Sequence, residues 1–325
     1  MAPMLGRGVL GVGGLAAVAL LSSCRRLGPA AAVGGPPPAA RRPPGAFRYQ
    51  PSAAGKDRPG AADSRQPTGG SHDGRPPAFA TDGALAQRLK AVVEDAVSRG
   101  VTRRVGVAVY DLATGQGTGI HVSEVFRPAS VIKLGVLVAA YQARPHMVGA
   151  QFNRLRPDLE RMITLSDNAA TRRLVKRLGA RSVNAAVREL GLHQFRVGES
   201  GSQEWVLRGS KAAPGDTALL LAKIARREVV SREACDEMLA LLGAQQLRGR
   251  IPAGLPPAPD LWVGNKTGTL NGVVNDAGIV LEPPKGIAYT LAIFTAGTRS
   301  EAAGDQLLAD LSAVVYGYMA TRRRG

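Results

Sequence analysis

A serine and a lysine stand three residues apart at the start of an apolar segment, as Ser130 and Lys133. Residues three apart share one face of a helix, which would bring the lysine amine close to the serine hydroxyl. If Ser130 opens the helix, its hydroxyl lies at the positive end of the helix dipole, and its backbone N–H has no intrahelical partner. The pair therefore predicts a nucleophile, a base and an oxyanion donor. The alternative is a common helix N-cap followed by an ordinary helix lysine.

Two tripeptides that occur once each further along the chain carry more polar chemistry. Residues 166–168 read Ser-Asp-Asn at a predicted helix start, and residues 266–268 read Lys-Thr-Gly at the end of a predicted strand. Ser166 can relay a proton to a leaving nitrogen, and Asn168 can hydrogen-bond a substrate amide. Asp167 is better suited to a helix cap. The alternative for the whole tripeptide is helix capping alone, since all three residue types are good N-caps.

The Lys-Thr-Gly segment would supply binding groups for an anionic substrate. Lys266 would offer positive charge to a carboxylate, and Thr267 would donate its hydroxyl. Gly268 has no side chain and would let a substrate lie close against the strand. Without the serine motifs, the better interpretation of Lys266 would be a solvated lysine at a strand end.

The order Ser-x-x-Lys, Ser-Asp-Asn, Lys-Thr-Gly is the signature of class A β-lactamases and penicillin-binding proteins. Over residues 82–319 the chain resembles the class A β-lactamases and their serine-hydrolase relatives, with further similar stretches at 105–112 and 250–256. The resemblance implies that Ser130 forms an acyl-enzyme, that Lys133 takes its proton, and that no cofactor is needed. It also implies that the backbone N–H of Thr269 is the second oxyanion donor.

The segment that would activate water for deacylation departs from the family pattern. Relatives carry a glutamate in an Arg-x-Glu-x-x-Leu-Asn context, whereas residues 202–208 read Ser-Gln-Glu-Trp-Val-Leu-Arg. Glu204 and Leu207 fit this pattern, but Ser202 and Arg208 replace its arginine and asparagine. Glu204 is therefore a candidate catalytic base, and an ordinary surface glutamate is the equal alternative.

Three functions follow from these motifs. The leading hypothesis is an exported hydrolase that opens β-lactam amides through a Ser130 acyl-enzyme, and so acts in antibiotic resistance. Its rival is a peptidase or esterase that uses the same nucleophile on D-Ala-D-Ala-type peptides or acyl compounds and turns β-lactams over slowly. The third hypothesis is a non-catalytic module that binds the cell envelope. Deacylation separates the first two, because both form the same adduct.

The first eighty residues predict export and tethering rather than a fold. Residues 9–21 form an apolar segment that is too short to span a bilayer comfortably, and Leu-Ser-Ser-Cys at 21–24 resembles a bacterial lipobox. We therefore expect a lipoprotein signal peptide at 1–24, with Cys24 lipidated and anchored to a membrane. Residues 25–81 are rich in Pro, Gly and Ala and predict a disordered tether. The catalytic domain would span 82–325.

Charge and cysteine content limit the partners. The net charge is +17, but aromatic residues are only 4% of the chain and are not interleaved with basic ones, which argues against nucleic-acid binding. Attraction to an anionic envelope polymer explains the charge, and solubility alone is the alternative. With Cys24 lipidated, Cys235 has no partner for a disulfide. The four histidines are isolated, so we expect no metal site, and we expect a monomer.

Periodicity predicts one α/β unit. An amphipathic helix at 82–100 precedes a hairpin of strands at 104–110 and 117–122, and three strands at 261–269, 273–281 and 288–295 precede a final helix at 307–319. Between these groups the pattern is helical. The fold class is therefore an antiparallel sheet flanked by the N- and C-terminal helices, with an all-helical lobe inserted after the second strand, as in β-lactamases.

Overall fold

The computed structural model describes residues 82–199 and 209–322. Its helices are α1 (Gly83–Ser98), α2 (Lys133–Ala143), α3 (Arg156–Thr164), α4 (Asn168–Leu178), α5 (Ala180–Glu189), α6 (Pro214–Arg226), α7 (Arg232–Gly243) and α8 (Glu301–Arg322). Its strands are β1 (Arg104–Asp111), β2 (Gly117–Ile120), β3 (Trp262–Leu270), β4 (Val273–Glu282) and β5 (Ile287–Ala296). Cys24, the tether and Glu204 lie outside the described residues.

The strands form a single antiparallel sheet in the order β2-β1-β5-β4-β3. A tight turn joins β3 to β4, and its Gly272 has a φ of 71°, a left-handed conformation that glycine adopts without strain. β3 pairs with β4 through a register that places Lys266 opposite Ala277. The strand order makes β3 an edge strand, and an edge presents backbone N–H groups away from the sheet.

The N- and C-terminal helices cover one face of the sheet. Leu85 and Leu89 of α1, one turn apart, are buried in the same apolar cluster as Leu308 of α8 and the apolar side chains of the strands. Asp82 caps α1 by accepting from Leu85 N, and it also accepts a hydrogen bond from the Tyr318 hydroxyl of α8 at 2.6 Å. This arrangement confirms the predicted layer of terminal helices.

The helical lobe lies between β2 and β3 in the chain and centres on α2. Every residue from Lys133 to Tyr141 is buried, which is typical of a helix surrounded by other helices. The α2 side chains belong to a second apolar cluster, which also contains the buried residues of the other lobe helices. Cys235 is a free, buried cysteine in this cluster, on α7. Among residues 82–199 and 209–322, none of the helices has both the length and the apolar composition of a membrane span.

Two predicted helix starts differ most clearly from the structure. The last helix begins at Glu301 rather than at 307, and the Ser300 hydroxyl accepts a hydrogen bond from Ala303 N at 3.2 Å in its first turn. That turn carries small and polar residues, and a Cβ at Gly304 would lie 2.6 Å from the Val274 side chain, so no apolar periodicity marks the start. Ser130 does not open an α-helix. It lies in a 3-10 turn, Ala129–Ile132, that precedes α2.

Candidate active site

The turn that carries Ser130 is strained and leads directly into the buried helix α2. Ala129 has a φ of 51°, and Val131 N donates to Pro128 O at 3.1 Å to close the turn. An alanine in this left-handed region costs about 1–2 kcal/mol relative to ordinary helical backbone. Such strain persists only where packing imposes it, and it is concentrated at functional sites. Ser130 itself is half-buried, which leaves one side of the serine open to the surface.

Lys133, the first residue of α2, points its amine at the Ser-Asp-Asn segment. The side chain is fully buried, and Nζ donates to Ser166 O at 2.6 Å, to Ser166 Oγ at 3.2 Å and to Asn168 Oδ1 at 2.8 Å. Burial lowers the pKa of Lys133 to about 7, and the nearby Arg172 charge acts in the same direction while Asp167 opposes it. At neutral pH a substantial share of this amine can therefore accept a proton.

Ser166 is held in a conformation that non-glycine residues rarely adopt. Its φ is 58°, in the connection between α3 and α4. The next residue, Asp167, is the N-cap of α4 and accepts from Ala169 N at 2.7 Å and Ala170 N at 3.0 Å, as predicted. Its carboxylate also accepts from Arg161 Nε at 2.9 Å. The cap and this ion pair fix the backbone on which Ser166 and Asn168 are placed.

Lys266 on β3 contacts the same serine. Its Nζ donates to Ser166 Oγ at 3.0 Å and to Thr267 O at 2.9 Å, and the side chain is fully buried rather than solvated. Burial holds the pKa of Lys266 well below its ordinary value, and the Lys133 charge adds to this effect. The two lysines can occupy both lone pairs of Ser166 Oγ, which leaves the hydroxyl proton free to be donated into the site.

Gly268 brings strand β3 against the serine turn. A Cβ at this position would lie 2.5 Å from Pro128 O and 3.0 Å from Ser130 N. We predicted that the glycine makes room for a substrate; the structure shows that its missing side chain makes room for the backbone that carries Ser130. The contact places the Lys-Thr-Gly strand and the predicted nucleophile side by side, although they are far apart in the chain.

A buried polar cluster, which none of the sequence motifs predicts, packs against β3. Asp276 on β4 is fully buried and accepts from Asn265 Nδ2 at 3.0 Å and from Ile251 N at 3.1 Å. Burial raises the pKa of Asp276 to about 6, while the Asn265 hydrogen bond and the Arg250 charge oppose the rise. The available signal was the Asn-Asp pair at 275–276, which is out of place in an otherwise apolar strand.

The structure brings together most of the residues predicted from the motifs. One region contains residues from four parts of the fold: Ser130 from the 3-10 turn, Lys133 from α2, Ser166 and Asn168 from the start of α4, and Lys266, Thr267 and Gly268 from β3. Thr269 follows on β3, and its hydroxyl accepts from Arg250 Nη2 at 2.7 Å and lies 3.3 Å from Glu301 Oε1. The predicted role of Thr269 concerns its backbone N–H and stays a prediction, as do the catalytic roles of the other residues.

Solved structures with this fold include β-lactamases and a penicillin-binding protein. A β-lactamase from Sphaerobacter thermophilus is 24% identical, with a TM-score of 0.61 over 71% of this chain and 98% of its own. A point mutant of PBP-A, solved as an acyl-enzyme complex with penicillin G, is 26% identical, with a TM-score of 0.64 over 75% and 98%. The last common ancestor of Gram-negative class A β-lactamases is 23% identical, with a TM-score of 0.61 over 73% and 99%.

Comparison with sequence families agrees with the fold. No curated protein matches the chain. The model of the β-lactamase enzyme family matches residues 84–145 and 154–319, which include the serine turn, the Ser-Asp-Asn segment and the Lys-Thr-Gly strand. With the fold, the order of the motifs and this match in agreement, the chain belongs to the β-lactamase enzyme family.

Proposed function

We propose that this protein is an exported serine hydrolase that opens β-lactam amides through an acyl-enzyme on Ser130. The observation that carries the proposal is the Ser166 hydroxyl, held 3.2 Å from Lys133 Nζ and 3.0 Å from Lys266 Nζ beside the serine turn. Acyl transfer needs a base for the nucleophile, a proton for the leaving nitrogen and a binding site for the anionic intermediate. The residues gathered here supply each of these.

In the acylation step, Lys133 takes the Ser130 proton as the hydroxyl oxygen attacks the amide carbonyl. A pKa of about 7 makes this transfer efficient near neutral pH, because a neutral and a protonated form are both accessible. The backbone N–H groups of Ser130 and Thr269 would stabilise the tetrahedral oxyanion. Collapse of the intermediate breaks the C–N bond, and Ser166 donates its proton to the leaving nitrogen and regains one from Lys133. The amine is then neutral again, and the acyl group remains on Ser130.

Deacylation requires a water molecule and a base. We propose Glu204 for this role on the resemblance of its segment to the family pattern. Glu204 would take a proton from water as the water oxygen attacks the Ser130 ester. It would return that proton to Ser130 Oγ as the C–O bond breaks, which releases the acid and restores both side chains. The rate of deacylation separates a β-lactamase, which releases the opened β-lactam quickly, from a peptidase or esterase, which releases it slowly.

A peptidase or esterase that deacylates slowly from β-lactams is the second candidate. Its support is the similarity to PBP-A, of which a point mutant was solved as an acyl-enzyme with penicillin G. In such an enzyme the acylation groups described above would be retained, and the natural substrate would be a D-Ala-D-Ala-type peptide or an acyl compound. The intact arrangement of Lys133, Ser166 and Lys266 argues against the third hypothesis, a non-catalytic envelope module.

The decisive experiment combines intact-protein mass spectrometry with a chromogenic cephalosporin assay on the purified chain. For a β-lactamase we expect steady turnover, a short-lived penicillin adduct that is absent from Ser130→Ala, and adduct accumulation in Glu204→Gln. A long-lived adduct without turnover would establish the penicillin-binding peptidase or esterase instead. If the parent protein forms no adduct at all, both enzyme proposals are wrong.

Export and membrane attachment through Cys24 belong to the same proposal and rest on the lipobox-like segment at 21–24. The segment rich in Pro, Gly and Ala would then tether the catalytic domain near the membrane, where its positive charge would favour anionic envelope polymers. Expression of the full chain in a bacterium with metabolic fatty-acid labelling tests this directly. We expect label in the membrane fraction for the parent and none for Cys24→Ser. Unlabelled parent protein outside the membrane fraction would contradict the anchor.

A further inference from the structure

We propose that Arg250 is a positioning residue that aims the Thr269 oxyanion donor, and that it does not bind the substrate. The proposal rests on the proposed function, because an oxyanion donor matters only if Ser130 is acylated. Arg250 precedes the short 3-10 turn Ile251–Gly254, and its side chain is almost entirely buried beneath the ends of β3 and β4. A buried guanidinium so close to the serine turn could be taken for the binding site of a substrate carboxylate. The hydrogen bonds of Arg250 contradict that assignment.

The Arg250 guanidinium uses its whole donor capacity within the protein. A guanidinium has five N–H donors: one on Nε and two on each terminal nitrogen. Nε donates to Asp305 Oδ1 at 2.6 Å. Nη1 donates to Gly268 O at 3.2 Å and to Asn275 O at 2.8 Å. Nη2 donates to Thr269 Oγ1 at 2.7 Å and to Glu301 Oε1 at 2.9 Å. Five acceptors thus match five donors, and a substrate would have to displace one of them.

The Arg250 charge is also neutralised by the protein. Glu301 and Asp305 lie one turn apart in the first two turns of α8, and both form ion pairs with the guanidinium. Two carboxylates against one guanidinium leave Arg250 itself with no unmatched charge to attract an anionic substrate group. Since α8 packs across the sheet and supplies both anions, the helix anchors Arg250 to the body of the fold.

The acceptor that matters for catalysis is the Gly268 carbonyl. Its carbon is bonded to the Thr269 nitrogen, so Gly268 C=O and Thr269 N–H belong to one planar, trans peptide unit and point in opposite directions. A hydrogen bond that holds Gly268 O toward Arg250 therefore turns Thr269 N–H away from Arg250. The second bond, from Nη2 to the Thr269 hydroxyl, holds the same peptide unit at its other end.

The Nη1 bond to Asn275 O extends this support to β4, the strand that pairs with β3. The guanidinium plane thus connects α8, β3 and β4 at one point. Because the fork is rigid and its bonds are bidentate, a lysine with one point charge cannot reproduce it. We infer that Arg250 fixes the tilt of the peptide unit between Gly268 and Thr269, which sets the direction of the oxyanion donor.

Comparison of two acyl donors that differ only in their carboxylate tests this assignment. Acylation of Ser130 by penicillin G and by its methyl ester is followed by rapid-quench mass spectrometry in the parent, Arg250→Lys and Arg299→Lys. Arg299 is exposed on the approach to α8 and serves as the matched control. We expect Arg250→Lys to reduce the acylation rate constant by about 10- to 100-fold for both compounds, as a misaligned oxyanion donor does, with little change in initial binding. Arg299→Lys should match the parent.

Two other outcomes would contradict this role of Arg250. A loss for penicillin G that vanishes for the methyl ester would show that Arg250 binds the carboxylate, and an unchanged rate for both would show that it positions nothing. If Arg250→Lys fails to fold, Asp305→Ala removes the Nε acceptor from a partly exposed site and should lower both rates by the same factor; parent rates there would overturn the assignment. A parent protein that neither compound acylates would refute the proposed function itself, and this inference with it.

Discussion

Lys133 and Lys266 donate to the same oxygen, Ser166 Oγ, at 3.2 Å and 3.0 Å, although they lie on a helix and a strand that are far apart in the chain. Both side chains are fully buried, so burial lowers both pKa values, and the Lys133 charge lowers that of Lys266 further. Two buried lysines around one hydroxyl are costly for stability. Their presence favours a role in proton transfer, where a lysine that can be neutral at pH 7 is useful.

Acylation should depend on the protonation state of Lys133. Since its pKa is lowered to about 7, the neutral amine predominates above this pH and the ammonium below it. We expect the second-order acylation rate constant for a penicillin to rise with pH through about 7 and then to level off. Stopped-flow measurements between about pH 5 and 9 check this. Lys133→Arg, which cannot deprotonate, should lose about 100-fold or more of the rate. A flat profile in the parent would exclude Lys133 as the base.

Two substitutions of Ser166 should distinguish the effect of its hydroxyl on the acylation rate from the effect of its strained backbone on stability. Ser166→Ala and Ser166→Gly both remove the hydroxyl, so both should slow acylation by about 10²–10⁴-fold, the usual contribution of a positioned proton donor. Only glycine relieves the positive φ of 58°. The glycine variant should therefore be more stable than the alanine variant, by about 1 kcal/mol in urea unfolding. Equal stability would mean that the backbone relaxes in the alanine variant, and parental rates would remove Ser166 from the proton path.

A side chain at Gly268 should disturb the contact between β3 and the serine turn. In Gly268→Ala the new Cβ would lie 2.5 Å from Pro128 O, a backbone atom that cannot move away cheaply. We expect the strand to shift away from Ser130 and the acylation rate constant to fall by about 10²-fold, since a displacement near 1 Å has that effect. Gly317→Ala on α8 is the matched control, because its Cβ would meet no atom within 4 Å. Equal rates for the two variants would contradict the prediction.

The buried Asp276 carboxyl should make stability depend on pH. Its pKa is about 6 in the folded protein against an ordinary value of 3.8, so the folded state holds the proton more tightly than the unfolded chain. The resulting stabilisation is full below about pH 4 and is lost as pH rises through about 6.

Comparison with Asp276→Asn isolates this effect, because the amide does not titrate. The stability advantage of the parent over the variant should shrink by about 2–3 kcal/mol between about pH 4 and pH 7, the value that a shift of about two units implies. Urea unfolding at the two pH values, with a matched ionic strength, measures it. A difference that is constant with pH would show that Asp276 titrates normally.

Much of the fold could be predicted because its elements carry local signals. The spacing of Leu85 and Leu89 predicts α1, the Asn-Gly turn at 271–272 predicts the β3–β4 hairpin, and the observed elements lie close to the predicted ranges. The start of α8 could not be predicted, because Gly304 packs against Val274 through the absence of a side chain rather than through an apolar one. The sequence predicts Ser130 at a helix start, whereas a strained turn carries it, and the positive φ of Ala129 has no signal in the sequence because alanine rarely adopts it.

For the site, the residue types and their order along the chain are enough to predict the family and the nucleophile. The chemical behaviour of these residues depends on how the chain folds around them. The pKa values of Lys133, Lys266 and Asp276 follow from burial, which depends on how the helical lobe packs against the sheet. The five acceptors of Arg250 include two backbone carbonyls, whose directions depend on strand register. The sequence specifies each side chain. The dielectric environment of a titratable group and the direction of a peptide group are set only when the chain has folded.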